Sequence, residues 1–196
     1  TGGIAMLSIR KGGHADLEKY YPLMEMDFDS EELIPKLSLH KAIMNGTAEL
    51  LVVYEQESNL DVAYALVLCK NLYGYALVKY LGVLPWYREH GMGVETMRFL
   101  NRRYADRQGL IAEITEFPDE DPNRVKKLMK FFARFGYVEA ESDYRIGGVK
   151  AHLMVKPIKG SADIAPIAHR ILPDFYTRCM TDRAVSKMID IRPGKK

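Results

Sequence analysis

The segment that most restricts what this chain can fold into runs Leu81-Gly-Val-Leu-Pro-Trp-Tyr-Arg-Glu-His-Gly-Met-Gly93. The apolar run Ala76–Val83 reads as a strand stopped by Pro85. Gly91-Met-Gly93 then opens a helix whose apolar positions Val94, Met97, Leu100 and Tyr104 recur at helical spacing. A strand must therefore hand the chain, through a polar loop, to a helix start stripped of side chains. Glycines at that place let backbone N–H groups converge on an anion, and the helix N-terminus adds positive partial charge. Arg88, three residues ahead of Gly91, is placed to help hold that anion. The pattern predicts a phosphate or pyrophosphate cradle. Two other cradles fail on spacing. A Walker loop needs Lys-Ser/Thr after its last glycine, where Val94-Glu95 stand. A dinucleotide fingerprint needs a third glycine where Thr96 stands, and its first glycine directly at the strand end.

The rest of the chain alternates short elements around this segment. Leu7–Arg10 is a strand candidate, ended by Gly12-Gly13, and Asp16 is placed to cap a helix with Leu17, Tyr20, Tyr21 and Met24 on its apolar face. Met26 to Ser30 breaks that helix, and a second helical pattern passes through Leu33, Leu37, Ile43 and Met44. Glu49–Glu55 and Asp61–Cys69, joined by Glu57-Ser58-Asn59, predict an antiparallel hairpin with Val62, Tyr64, Leu66 and Leu68 on one face. Leu110–Phe117 is a buried strand followed by an acidic loop, and Arg124–Phe135 is an amphipathic helix closed by Gly136. Tyr137–Glu141 and His152–Val155 read as a last pair of strands. This order predicts an α/β (α+β) fold, a mixed sheet with helices on both faces. The chain divides into a domain over residues 6–159 and a C-terminal helical extension over 160–196. In the extension Pro166 and Pro173 interrupt the first part, Asp174 is a candidate cap for a helix through Phe175, Cys179, Met180 and Met188, and Arg192 to Lys196 frays.

Charge and cysteine usage narrow the function classes. The net charge is +2, with an acidic head and a basic tail, and neither end is a dense single-sign block, so nucleic-acid binding has little support. No apolar run reaches the roughly 20 residues of a membrane span. The Ile4-Ala5-Met6-Leu7 patch is shorter than the hydrophobic region of a secretory leader. Cys69 and Cys179, with no metal-type spacing, read as reduced thiols in a cytoplasmic protein, and no metal site is expected.

Val83-x-Pro85-x-x-Arg88-x-x-Gly91-x-Gly93 resembles the acyl-CoA signature of the GNAT N-acetyltransferase superfamily. Lys127-Leu-Met-Lys-Phe-Phe-Ala-Arg-Phe-Gly-Tyr137 resembles the late helix of the same family, and the element order from about residue 6 to 157 is similar to its fold. The resemblance implies a mostly antiparallel sheet with a splayed parallel pair, Ala76–Val83 and Leu110–Phe117, and acetyl-CoA or coenzyme A lying in the opening as co-substrate. Backbone groups of Leu81, Gly82 and Val83 would pair with the pantetheine arm, as an added strand pairs with a sheet edge. Arg88, Glu89, His90, Gly91, Met92 and Gly93 would hold the pyrophosphate, with Phe132 alongside. The implied reaction is direct transfer of an acetyl group to a primary amine of a small molecule or peptide in a ternary complex. The alternative is a catalytically weak acyl-CoA-binding or regulatory module. Members of the family often dimerise, so residues 160–196 are a candidate homodimer surface.

The chain departs from the family where catalytic groups are expected. Many relatives carry a tyrosine on the late helix that serves the departing thiolate, and here that position is Phe132, in the middle of an apolar face. Tyr144 is a candidate substitute acid, with solvent protonation as the other route. Some relatives carry a glutamate base on the strand before the cradle, and its best match here is Lys79. Glu113 shares a face with Ile111 and Thr115, and a half-buried carboxylate there suits a general base near neutral pH, which makes Glu113 the candidate base. Glu25-x-Asp27-x-Asp29-x-Glu31-Glu32 and Asp119-Glu-Asp121 suggest a cationic acceptor amine. Trp86 and Tyr87 are expected to pack beneath the cradle loop.

Overall fold

The computed structural model describes residues 6–193. Nine strands, Leu7–Gly12 (β1), Ala48–Glu55 (β2), Asp61–Leu68 (β3), Tyr75–Val83 (β4), Gly109–Thr115 (β5), Val138–Ala140 (β6), Asp143–Ile146 (β7), Val149–Pro157 (β8) and Ile189–Arg192 (β9), form one mixed sheet. Its order is β1-β2-β3-β4-β5-β8-β7-β9, with β6 also pairing β8. Only the β4–β5 pair is parallel. Helices His14–Asp27 (α1), Lys36–Met44 (α2), Ala168–Thr177 (α5) and Asp182–Met188 (α6) join the apolar cluster on one face of the sheet, through Leu17, Leu39, Phe175 and Val185 among others. Met92–Arg103 (α3) and Arg124–Ala133 (α4) cover the other face through Met97, Leu100 and Phe132. Both faces of the central strands are therefore buried, and β3 and β4 are apolar on both sides rather than alternating.

Several local expectations move. The N-cap of α1 is Gly13, and Asp16 lies inside the first turn, its carboxylate accepting the Gly13 N–H at 3.0 Å. In α2 the buried residues are Leu39 and Ala42, whereas Leu37 and Met44 are exposed. β7 and β9 were not anticipated. Residues 160–192 are not an appended arm. Ile164, Ile171, Leu172, Phe175, Met180 and Met188 belong to the same apolar cluster as α1 and β4, and β9 pairs with β7. α5 runs through Pro173 instead of stopping there, because a proline in the second turn forfeits one hydrogen bond while the apolar face of the helix stays buried. Asp174, inside α5 rather than capping it, accepts the Leu72 N–H at 2.7 Å, and Thr181 is the cap of α6. The fraying expected for residues 194–196, and the apolar patch at residues 4–5, lie outside the described residues.

Candidate active site

The β4–β5 pair opens part-way along its length. It is in register from Tyr75 opposite Gly109 to Val78 opposite Ala112, after which β4 continues to Val83 and β5 to Thr115 without pairing. β8 holds β5 on its far side throughout, so β5 stays a strand while its β4 edge is free. On β4 the opening coincides with a bulge. β3 advances from Leu66 to Val67 while β4 steps from Tyr80 to Val78, which leaves Lys79 without a partner.

From the open stretch, β4 leads into Pro85–Tyr87, a 3-10 turn, and then into α3. Gly91 is the N-cap in a left-handed conformation, φ +78°, and Glu89 is also left-handed at φ +66°. The first amide of the helix start to turn inward is that of Val94, to Gly91 O at 3.0 Å. The N–H groups of Met92 and Gly93 find no backbone acceptor among the described residues and lie at the helix start, as a cradle requires. A Cβ on Gly91 would meet nothing within 4 Å, and one on Gly93 would touch Phe131 and Val83 only at ordinary contact distance. A groove of about 800 Å³ runs outward from His90 and Gly91 past Glu95 and Arg98 to Arg102. The cradle expected at Gly91, Met92 and Gly93 thus has the geometry to take an anion, and the residues fit a pyrophosphate.

Arg88 is placed differently. Its Nε donates to Val83 O at 3.1 Å and an Nη to Asp27 at 2.8 Å, so the guanidinium braces the strand end instead of facing the helix start. His90 is exposed, with Nδ1 2.6 Å from Arg88 O. Trp86 is 81% exposed rather than packed, and Tyr87 is half-buried. Phe132 is buried in the cluster beneath α4, its ring 5.2 Å from that of Tyr137.

Glu113 lies on the open stretch of β5, facing the side covered by α1 and α5. Its carboxylate is fully engaged. Tyr144 donates to Oε1 at 2.6 Å, Tyr176 to Oε2 at 2.6 Å, and the Lys79 ammonium lies 3.1 Å from Oε2. The same ammonium sits 5.3 Å from the ring centres of Tyr80 and Tyr176. Burial and the neighbouring Glu113 charge push both tyrosine hydroxyls upward, so they remain donors. A carboxylate that accepts at both oxygens and is 3% exposed is not open to an incoming amine, and the Tyr144 proton is already directed at it. The two candidate catalytic groups are brought together, but to each other.

Glu32 comes from the loop between α1 and α2, and one of its oxygens accepts the Thr115 hydroxyl at 3.1 Å. Burial pushes its carboxyl upward, against the attraction of Lys79. The other acidic residues expected to draw a cation are largely committed. Asp27 holds Arg88, Asp29 accepts the Glu31 N–H, Asp121 pairs with Lys127, and Glu120 with Arg124. The Tyr64 ring lies across Gly82, a glycine inside an apolar strand that marks a close approach.

No family model matches the chain. No curated protein matches it either. Solved structures do. The ribosomal-protein-S18-alanine N-acetyltransferase of Escherichia coli superposes with a TM-score of 0.59 at 16% identity, over 80% of this chain and 96% of that one. A protein of Bacteroides thetaiotaomicron assigned to the GNAT family of acetyltransferases gives 0.62 at 19%, over 80% and 89%. A spermidine N-acetyltransferase chimera from Vibrio cholerae gives 0.59 at 14%, over 77% and 95%. The chain has the GNAT fold. Among the described residues, no helix is long and apolar enough to cross a membrane and no cluster of His, Cys, Asp or Glu is placed to hold a metal.

Proposed function

We propose that this chain is an acyl-CoA-dependent N-acyltransferase that moves an acetyl group from acetyl-CoA to a primary amine. The observation that carries the reading is the unpaired half of β4 running directly into the uncapped amides of Met92 and Gly93. An extended thioester arm can add to the free edge at Leu81–Val83 as a strand would, and the diphosphate then falls at the helix start. The acceptor reaches the thioester from the side of the α1–α2 loop. Acetyl transfer is also what the named structural relatives carry out, the spermidine enzyme on a small polyamine and the S18-alanine enzyme on a ribosomal protein.

In this reading the Lys79–Glu113–Tyr144–Tyr176 cluster orients the fork from which the thioester would be presented, and Glu113 acts as a positioning residue. Titration calorimetry with acetyl-CoA, then with free CoA, tests the binding half. Release of free thiol with a panel of amines tests the chemistry. Micromolar binding with turnover supports the enzyme. Binding without turnover on any amine selects the CoA-binding module, which Phe132 and the fully bonded Glu113 favour, and absence of binding by the folded protein overturns both.

A further inference from the structure

We propose that Arg88 is a latch worked by the acyl donor. In the free protein it covers the open edge of β4 and neutralises Asp27, and a donor arm pairing with that edge moves it from Asp27 to the diphosphate. The inference rests on the acyl-CoA reading above and adds a moving part to it. One step beyond the Ala63–Val83 pair, the Leu84 N–H bonds Val62 O at 2.9 Å. Bonded and non-bonded pairs alternate along an antiparallel ladder. Gly82 therefore bonds across to Tyr64, whereas Leu81 and Val83 turn their N–H and C=O groups away from β3. β5 leaves that edge after Val78, so these are the groups an added extended arm would pair with.

One of those groups is already taken. Arg88 donates from Nε to Val83 O at 3.1 Å, and an Nη of the same guanidinium holds Asp27 at 2.8 Å. The side chain thus sits where the arm would lie, and an arm N–H that reaches Val83 O has to displace it. What holds Arg88 there is weak enough to give way. Its side chain is 51% exposed and that of Asp27 25%, and ion pairs so open to water contribute little. Asp27 has its own need of a cation. It is the last residue of α1, at the negative end of the helix, and no basic residue stands in that last turn. Arg88 supplies the missing charge from outside.

A stronger anion would arrive close to the same side chain. Arg88 stands three residues ahead of Gly91, and the N–H groups of Met92 and Gly93 lie without backbone acceptors at the start of α3. A diphosphate held there carries more charge than one carboxylate and offers paired oxygens to the planar guanidinium. Losing Val83 O to the arm and gaining the diphosphate both draw Arg88 the same way, off Asp27. The place that the sequence pattern gives Arg88 and the place it occupies in the free protein are then two states of one residue. Arrival of the donor is felt at the end of α1, on the side from which the acceptor approaches.

Calorimetry with acetyl-CoA on Asp27→Asn, Arg88→Met and the double variant tests this. Asp27→Asn removes the competing charge and should tighten acetyl-CoA binding about two- to fivefold, the range an exposed ion pair allows. Arg88→Met should weaken binding about tenfold, and in that background Asp27→Asn should change nothing. Hydrogen exchange gives a readout apart from affinity. Saturating acetyl-CoA should slow the amides of Leu81 and Val83 and speed that of Phe28, which closes α1 onto Met24 O. The change at Phe28 should vanish in Arg88→Met. If Arg88 merely braces the strand end, Asp27→Asn leaves affinity unchanged or weakens it. Either result overturns the proposal, as does an Arg88→Met protein that binds acetyl-CoA as tightly as the unaltered one. Where the folded unaltered protein binds no acetyl-CoA, the acyl-CoA reading falls and takes this one with it. Where it binds and Asp27→Asn binds equally, only this one falls.

Discussion

Lys79 and Glu113 form an ion pair of 3.1 Å, with side chains 2% and 3% exposed, just beyond the last paired residues of β4 and β5. Neither charge can reach solvent, so each depends on the other and on the two tyrosines. Replacing Lys79 by Met leaves a buried carboxylate held only by hydroxyls and should cost about 3–5 kcal/mol in urea unfolding. Adding Glu113→Gln, which removes the stranded charge and keeps an acceptor for Tyr144 and Tyr176, should recover part of that loss. Singles that add to the double would show that the pair is not coupled.

Glu32 gives a pH dependence of opposite sign to the usual carboxylate. Burial raises its folded pKa above the unfolded value, so the folded state holds the proton longer. Stability therefore falls as pH rises from the unfolded value through the raised one, and the full cost remains above it. Glu32→Gln keeps an acceptor for Thr115 and should raise the melting temperature at pH 8 but not at pH 4. A gain equal at both pH values would mean that the effect is packing rather than charge.

Glu49 behaves in the ordinary direction. Despite partial burial, hydrogen bonds from Arg103, Tyr104 and Lys11 hold its carboxyl down at about 2. The stability it contributes is complete above the unfolded carboxylate value and is lost as pH falls toward 2. Glu49→Gln should cost about 1–2 kcal/mol at pH 7, allowing for solvent screening, and only a small part of that at pH 2, where the folded carboxyl is half protonated. Chemical denaturation at the two pH values decides it.

The central elements were legible because each carries its own local signal. The β2–β3 hairpin has a turn between two β-rich runs, α3 has its glycines, and the turn that follows α4 closes at Gly136, which adopts φ +85°. Even the face of Glu113 followed from period-two alternation. What surrounds that carboxylate was not legible. Its partners come from positions 79, 144 and 176, and Lys79 turns toward it only because a bulge adds a residue to β4. Residues 160–192 are hard to read in the sequence for a related reason. Their prolines argue locally for broken helix, while the apolar residues between them find the sheet face that α1 and α2 leave uncovered.

That difference has a direct test. Phe175 is fully buried in the cluster shared with α1 and β4, so Phe175→Ala should cost about 3–5 kcal/mol, as a core truncation does. A detachable arm would lose little. Limited proteolysis should likewise leave residues 160–192 attached to the rest until global unfolding.

The cradle makes the last prediction. A Cβ at Gly93 meets Phe131 and Val83 at ordinary contact distance, so the fold tolerates a small side chain there. A leucine, however, adds bulk beside the Met92 and Gly93 amides, where the diphosphate of the acyl donor would lie in the proposed function. Gly93→Leu should therefore lower acetyl-CoA affinity at least tenfold by calorimetry, with a melting temperature within a few degrees of the unaltered protein. Gly91 differs, since its φ of +78° penalises any other residue by about 1 kcal/mol although the space is open. Gly91→Ala should lose stability first and affinity second. Retained affinity in a folded Gly93→Leu protein would remove the start of α3 from the binding site and leave the open edge of β4 as its only support.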